Sequence, residues 1–194
     1  MTRRAVAGLG LVLLLACGGK ERGRQPAAAA EPAAGVAPAK AEETAAPLAK
    51  SKLTIYFPSA SADKLTTETR EVVETVRPAD RGTQVLAELL EGPREKGALA
   101  AVPDGTTLRR LWVREDGTAF ADFSDELASG MNGGSADEIL AVYAIVDSLT
   151  ANVPEIRRVG ILVAGRERET LGGHLDLRRP LGPDMTLALA KKDD

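Results

Sequence analysis

Pro26, Pro32, Pro38 and Pro47 punctuate a stretch from Gly18 to Lys50 that is otherwise mostly Ala, Gly, Glu and Lys with almost no large apolar side chain. Each proline breaks any helix the alanines favour. Without apolar surface to bury, the stretch cannot offset the entropy of ordering its backbone. It reads as a semi-extended tether, with a contour on the order of 100 Å at about 3 Å per residue. Any packed core therefore begins near residue 51, in a chain of 194 residues, which leaves room for one domain of ordinary size. That core has no disulfide to lean on. The only cysteine is Cys17, ahead of the tether. Aromatic residues are 3% of the chain, so Leu, Val, Ile and Ala must build the interior.

Cys17 ends the apolar run Leu11-Val12-Leu13-Leu14-Leu15-Ala16, which follows Arg3 and Arg4. A basic start, a short apolar stretch and a small residue before the cut make a secretory signal over residues 1–16. The tetrad Leu14-Leu15-Ala16-Cys17 resembles the bacterial lipobox, which implies a diacylglycerol on Cys17 and a mature chain starting there. The stretch Ala5–Ala16 is too short to span a bilayer, which takes about 20 residues. A twin-arginine signal fits poorly around Thr2-Arg3-Arg4. Two acyl chains anchor a protein firmly without any other membrane segment. Gly18, with no aspartate after the cysteine, resembles the outer-membrane sorting pattern of Gram-negative bacteria; a Gram-positive outer leaflet stays open. Removing residues 1–16 takes away two arginines and no acid, moving the net charge from −3 to about −5. That balance argues against generic binding of nucleic acid or anionic lipid.

Beyond the tether, Leu53, Ile55 and Phe57 alternate with Thr54 and Tyr56, a strand with one buried face that Pro58 closes. A polar loop follows, then a second strand over Arg70–Arg77. Val85, Leu86, Leu89 and Leu90 form one stripe of a helix over 81–91, stopped by Gly92-Pro93. Asp116-Gly117 marks a hairpin between strands at Thr107–Arg114 and Thr118–Phe123. Ser135 followed by Glu138 reads as a capping box opening a second helix, with Ile139, Val142, Val146 and Leu149 as its stripe. Arg158–Val163 is a further strand. After the turn Ala164-Gly165 comes a last extended segment at Arg168–Thr170, and a ragged tail over 186–194. Interleaved strands and helices with a hairpin predict an α+β fold, a compact mixed sheet with two main helices on one face, over residues 51–185.

Several pieces of this region resemble the GerMN domain, also called the sporulation and spore germination domain. They are Ile55-Tyr56-Phe57-Pro58, Leu89-Leu90-Glu91-Gly92-Pro93, Val102-Pro103-Asp104-Gly105-Thr106, Asp122-Phe123-Ser124 and, most distinctive, Leu171-Gly172-Gly173-His174-Leu175-Asp176-Leu177. The resemblance runs from about Leu53 to Leu181. It implies an extracytoplasmic domain of bacterial envelope proteins, often carried on lipoproteins, with no catalytic residues to carry over. The member that gave the family its name has two copies and a fold like the ring-building motifs of secretion systems. One copy is legible here, so ring formation is not carried over.

His174, the only histidine, lies two residues from Asp176. On a strand the two would face the same way and could orient a base or part of a metal site. A nucleophile or further ligands are missing, although Ser124 and Ser135 are present, and the glycines before His174 favour a structural turn. The loop Gly130–Gly134 before a helix N-terminus could cradle an anion, but Asp137 and Glu138 would repel phosphate. Arg109-Arg110, Arg157-Arg158 and Arg178-Arg179 suit either an anionic wall polymer or the blunting of sheet edges. Trp112 suits a core position under a helix better than an exposed binding anchor. The sequence points to no catalytic residue, metal or cofactor.

The expectation is a lipid-anchored envelope protein, facing the periplasm or the exterior, whose domain binds a protein partner or itself by presenting a sheet edge or a helix face. Binding of peptidoglycan or a small ligand, with contacts among Trp112, Arg157, Arg158, His174 and Asp176, is the alternative. Hydrolysis through His174 and Asp176 is a third.

Overall fold

The structure, a computed structural model, describes residues 49–189. The expected signal segment 1–16, the expected lipidation site Cys17, the expected tether up to residue 48 and the tail residues 190–194 lie outside the described residues.

Leu53, Ile55 and Phe57 are fully buried on β1 (Lys50–Pro58), as their alternation predicts. Its antiparallel partner β2 (Leu65–Val73) starts five residues before the expected strand and ends four before its end. The cause is charge in the interior. Glu68 and Arg70 both point inward and are 3% exposed, so the strand lacks the apolar alternation that would reveal it. The Arg70 guanidinium donates to the Glu68 carboxylate at 2.9 Å and to the carbonyls of Glu88 and Gly92, and lies 5.2 Å over the ring of Phe57. Those carbonyls close α1 (Pro78–Leu90), where a cation complements the helix dipole. Pro78 opens α1, because the missing N–H is one the helix cannot use there. Gly82, Val85, Leu86 and Leu89 make its buried face. Gly82 lets the helix press close to β3, for a methyl group there would collide with the Leu111 side chain.

The predicted hairpin is present as β3 (Leu108–Val113) and β4 (Thr118–Phe123). A one-turn helix, α2 (Glu126–Ser129), follows, buries Leu127 and has no counterpart in the sequence reading. Next come α3 (Ser135–Asn152), β5 (Arg158–Val163), parallel to β4, and β6 (Arg166–Glu167), antiparallel to β5. The α+β class holds. Its strands divide into a mixed sheet in the order β3-β4-β5-β6 and a separate ladder of β1 and β2.

The predicted capping box is displaced. Gly134 caps α3, the Asp137 carboxylate accepts its backbone N–H at 3.0 Å, and Glu138 turns into the interior. The stripe on α3 is also wider than predicted. Leu140–Val142 and Ala144–Leu149 are all buried, while Ile139 stays partly exposed. The helix lies among β1, β5 and α1, which leaves the line of Ala136, Ile139, Tyr143 and Thr150 partly exposed. It also covers the edge of β1 that β2 leaves free. Asn152 accepts from the N–H and donates to the carbonyl of Thr54, and Ser148 accepts from the N–H of Tyr56. Each fully buried Leu, Ile, Val or Phe is worth about 1.5–3 kcal/mol, and these side chains carry the fold without a cross-link.

The chain stays docked beyond the expected boundary. Met185–Leu187 form a 3-10 turn, and Leu189 donates to the carbonyl of Leu65 at 2.7 Å. Among the described residues, no helix is long and apolar enough to cross a membrane.

Candidate functional site

The mixed sheet has two unequal faces. Ala119, Ala121 and Phe123 of β4 and Val159, Ile161 and Val163 of β5 point into the core. Strand alternation sends Trp112, Phe120, Asp122, Gly160 and Leu162 to the opposite face. The helices pack on the first face only, as the approach of Gly82 to Leu111 shows for α1.

Register arranges the second face in rows. Trp112 pairs with Phe120, and Phe120 with Gly160. The two rings stack, with centroids 5.4 Å apart and planes 16° from parallel. The absence of a side chain at Gly160 makes room for the Phe120 ring, which would overlap any Cβ there. One row further along, Arg110 pairs with Asp122 and Asp122 with Leu162. The pairing of β3 with β4 slips between Leu108 and Arg110, and this bulge brings Arg109 and Arg110 to the same face. Arg109 bridges to Asp122 at 3.3 Å. On the other side of the aromatic row, Thr118 pairs with Arg158. Arg109, Arg110, Trp112, Asp122, Leu162 and Gly165 line a shallow depression of about 390 Å³. Arg110 and Arg158 are exposed, and neither forms an ion pair among the described residues.

Trp112 is therefore not a core residue. It is 37% exposed on the face away from the helices, held by Phe120 rather than by a helix above it. The parity of Leu111 and Val113 on the predicted strand carried this placement. Arg157 differs from its neighbour Arg158. Its side chain folds over the hairpin turn and donates to the carbonyl of Asp116 at 2.8 Å, a structural clasp.

His174 and Asp176 do not form a pair. Residues 171–177 are a loop rather than a strand, so the i, i+2 relation does not align them. Asp176 is taken by Arg178, which donates to both carboxylate oxygens at 2.9 Å and holds Asp176 down at about 2. The His174 side chain is exposed. Ser124 accepts the backbone N–H of Thr107. At the glycine-rich loop 130–134, the Asp137 carboxylate already occupies the N-terminus of α3, which leaves an incoming anion no advantage there.

Glu138 is the residue whose role the sequence concealed. It is fully buried and accepts the backbone N–H groups of Leu171 at 2.9 Å and His174 at 2.7 Å. Burial raises its pKa, but the N–H groups of Gly172, His174, Leu171 and Leu175 outweigh this and hold it below the usual carboxylate range. The Leu-Gly-Gly-His-Leu motif is thus a loop gathered around one carboxylate.

Residues 54–169, more than half of the chain, match the family model described as sporulation and spore germination, and the protein belongs to that family. Two solved structures are similar to it. One is a protein of Clostridium perfringens described as a lipoprotein, 26% identical, with a TM-score of 0.51 over 72% of this chain and 93% of that one. The other holds the tandem GerMN domains of the sporulation protein GerM from Bacillus subtilis, 20% identical, with a TM-score of 0.50 over 73% of this chain and 46% of that one. The second likeness is one of fold. No curated protein matches the chain by sequence.

Proposed function

We propose that this protein is a lipid-anchored component of the bacterial envelope, whose single GerMN domain works by non-catalytic recognition of an envelope partner. The observation that carries the reading is an exposed tryptophan, fixed by stacking on Phe120, on a sheet face that no helix covers. Exposed aromatics of restricted motion are what interfaces use as anchors. The lipobox at Cys17 and the likeness to the Clostridium perfringens lipoprotein support the anchoring. The tether would carry the domain away from the bilayer.

Contact through this face replaces the contact through a strand edge that the sequence suggested. Ser148 and Asn152 already fill the edge of β1 at Thr54 and Tyr56. A hydrolase built on His174 and Asp176 has no support in the geometry, because Asp176 serves Arg178. The test places a photo-crosslinking residue at position 112 of the full-length protein in cells, beside one at position 174. Crosslinks from 112 and not from 174 are expected, and they should vanish from the membrane fraction with Cys17→Ser. Equal crosslinking from the two positions would overturn the assignment of the face.

A further inference from the structure

Resting on the reading of this sheet face as the recognition surface, we infer that its occupant is a carboxylate-bearing amino-sugar glycan, the chemistry of peptidoglycan. A sugar ring seats against Trp112, and the free carboxylates of the attached stem peptides pair with Arg110 and Arg158.

The rows described above supply the pattern. Trp112 occupies the middle row and Phe120 fixes the plane of its indole. An indole offers a broad apolar surface with one polar handle, which suits the C–H face of a pyranose. Arg110 stands two residues from Trp112 on the same strand, about 7 Å along it. Arg158 lies two strands across and one row beyond, about 10 Å away across the sheet. Cationic groups thus flank the ring site on opposite sides.

Charge selects among ligands. The chain as a whole is net acidic at −3, so it does not attract polyanions in general. On this face the balance reverses. Asp122 occupies Arg109 at 3.3 Å and Asp116 approaches Arg114 at 3.7 Å, while Arg110 and Arg158 keep their guanidinium groups free among the described residues. A guanidinium offers parallel donors that match a carboxylate in bidentate fashion. The depression is the size of a small-ligand site rather than of a protein interface core, and it has one exposed aromatic instead of the cluster a protein partner would bury.

The test is sedimentation of the full-length protein, held in detergent, with purified sacculi stripped of phosphate-bearing polymers. The wild type should pellet with them. Trp112→Ala should lower the affinity about tenfold, and the pair Arg110→Glu and Arg158→Glu by at least as much. The double variant guards against a folding artefact, because both side chains are exposed. Amidating the sacculus carboxylates should weaken binding likewise, and His174→Ala should leave it unchanged. Sedimentation that ignores both variants, or no sedimentation at all, overturns the glycan. Equal binding to amidated sacculi overturns the role of the arginines. The crosslinks at position 112 separate this failure from that of the recognition face. A protein or a second copy captured there, with no sacculus binding, removes the glycan and keeps the face. No capture of any kind removes both.

Discussion

Glu138 holds His174 by its main chain, N–H to carboxylate at 2.7 Å, and leaves the imidazole outside. The histidine is the conspicuous residue of the motif and the glutamate the structural one. Glu138→Ala should therefore cost about 3 kcal/mol or more, since it strips several buried N–H groups of a charged acceptor. His174→Ala should stay within about 0.5 kcal/mol of wild type. Urea unfolding of the two variants checks the contrast, and equal losses would refute it. The pKa of Glu138 is depressed, so its contribution is present above the unfolded value of about 4.3 and is lost as pH falls through the lower folded value.

Asp147 has the opposite sign. It is fully buried on α3, accepts the backbone N–H of Asp184 at 3.0 Å with one oxygen and has no partner for the other among the described residues. Burial, opposed by that hydrogen bond and reinforced by the nearby Asp184 charge, lifts its pKa from 3.8 to about 6. A folded state that holds its proton more tightly than the unfolded chain loses stability as pH rises from about 4 to about 6, and the loss persists above. The difference amounts to about 3 kcal/mol. Asp147→Asn keeps an oxygen for Asp184 and removes the charge. It should stabilise the protein at pH 7 by up to that amount and change little at pH 3. Parallel pH profiles for variant and wild type would contradict this.

Removing Arg70 should be among the most damaging single changes. Arg70→Met leaves Glu68 buried without its counter-charge and the last carbonyls of α1 without their donor. Breaking such a pair costs about 3–5 kcal/mol. Adding Glu68→Gln should recover part of that loss, though Glu68 also receives the N–H groups of Arg94 and Glu95. A double-mutant cycle by thermal unfolding measures the coupling.

Ala164 sits at φ 52° in the turn from β5 to β6, followed by Gly165 at φ 76°. Two successive positive φ values suit the tight turn between twisted antiparallel strands, but alanine occupies the first with strain. Ala164→Gly should raise stability by about 1 kcal/mol, visible as a higher Tm.

Much of the fold is legible because apolar period and turn chemistry agree. Leu53, Ile55 and Phe57 fix β1, Asp116-Gly117 fixes the hairpin, and Gly92-Pro93 bounds α1. What resists reading is polarity turned inward. Glu68 and Arg70 disguise β2 as a loop, and Asp147 and Ser148 interrupt the apolar surface of a helix buried over most of its circumference. The Ser135–Glu138 spacing satisfies a capping rule, but the helix begins one residue early, with Gly134 as its cap, so the glutamate falls inside. Of the candidate contacts, Trp112 and Arg158 share the sheet face turned away from the helices, whereas Arg157, His174 and Asp176 serve a turn and a loop. No local pattern separates these roles, because strand register, rather than composition, decides which side a residue takes.

Ser148 and Asn152 have a meaning beyond three hydrogen bonds to β1. Molecules leashed to one surface meet at concentrations far above those they reach in bulk solution. In such a crowd, a strand with open valences is the seed of a filament. These two side chains spend the valences of β1 within the molecule, which closes that edge to a neighbour. Drift at either position would bare the N–H and C=O groups of Thr54 and Tyr56 and offer that edge of β1 to another strand.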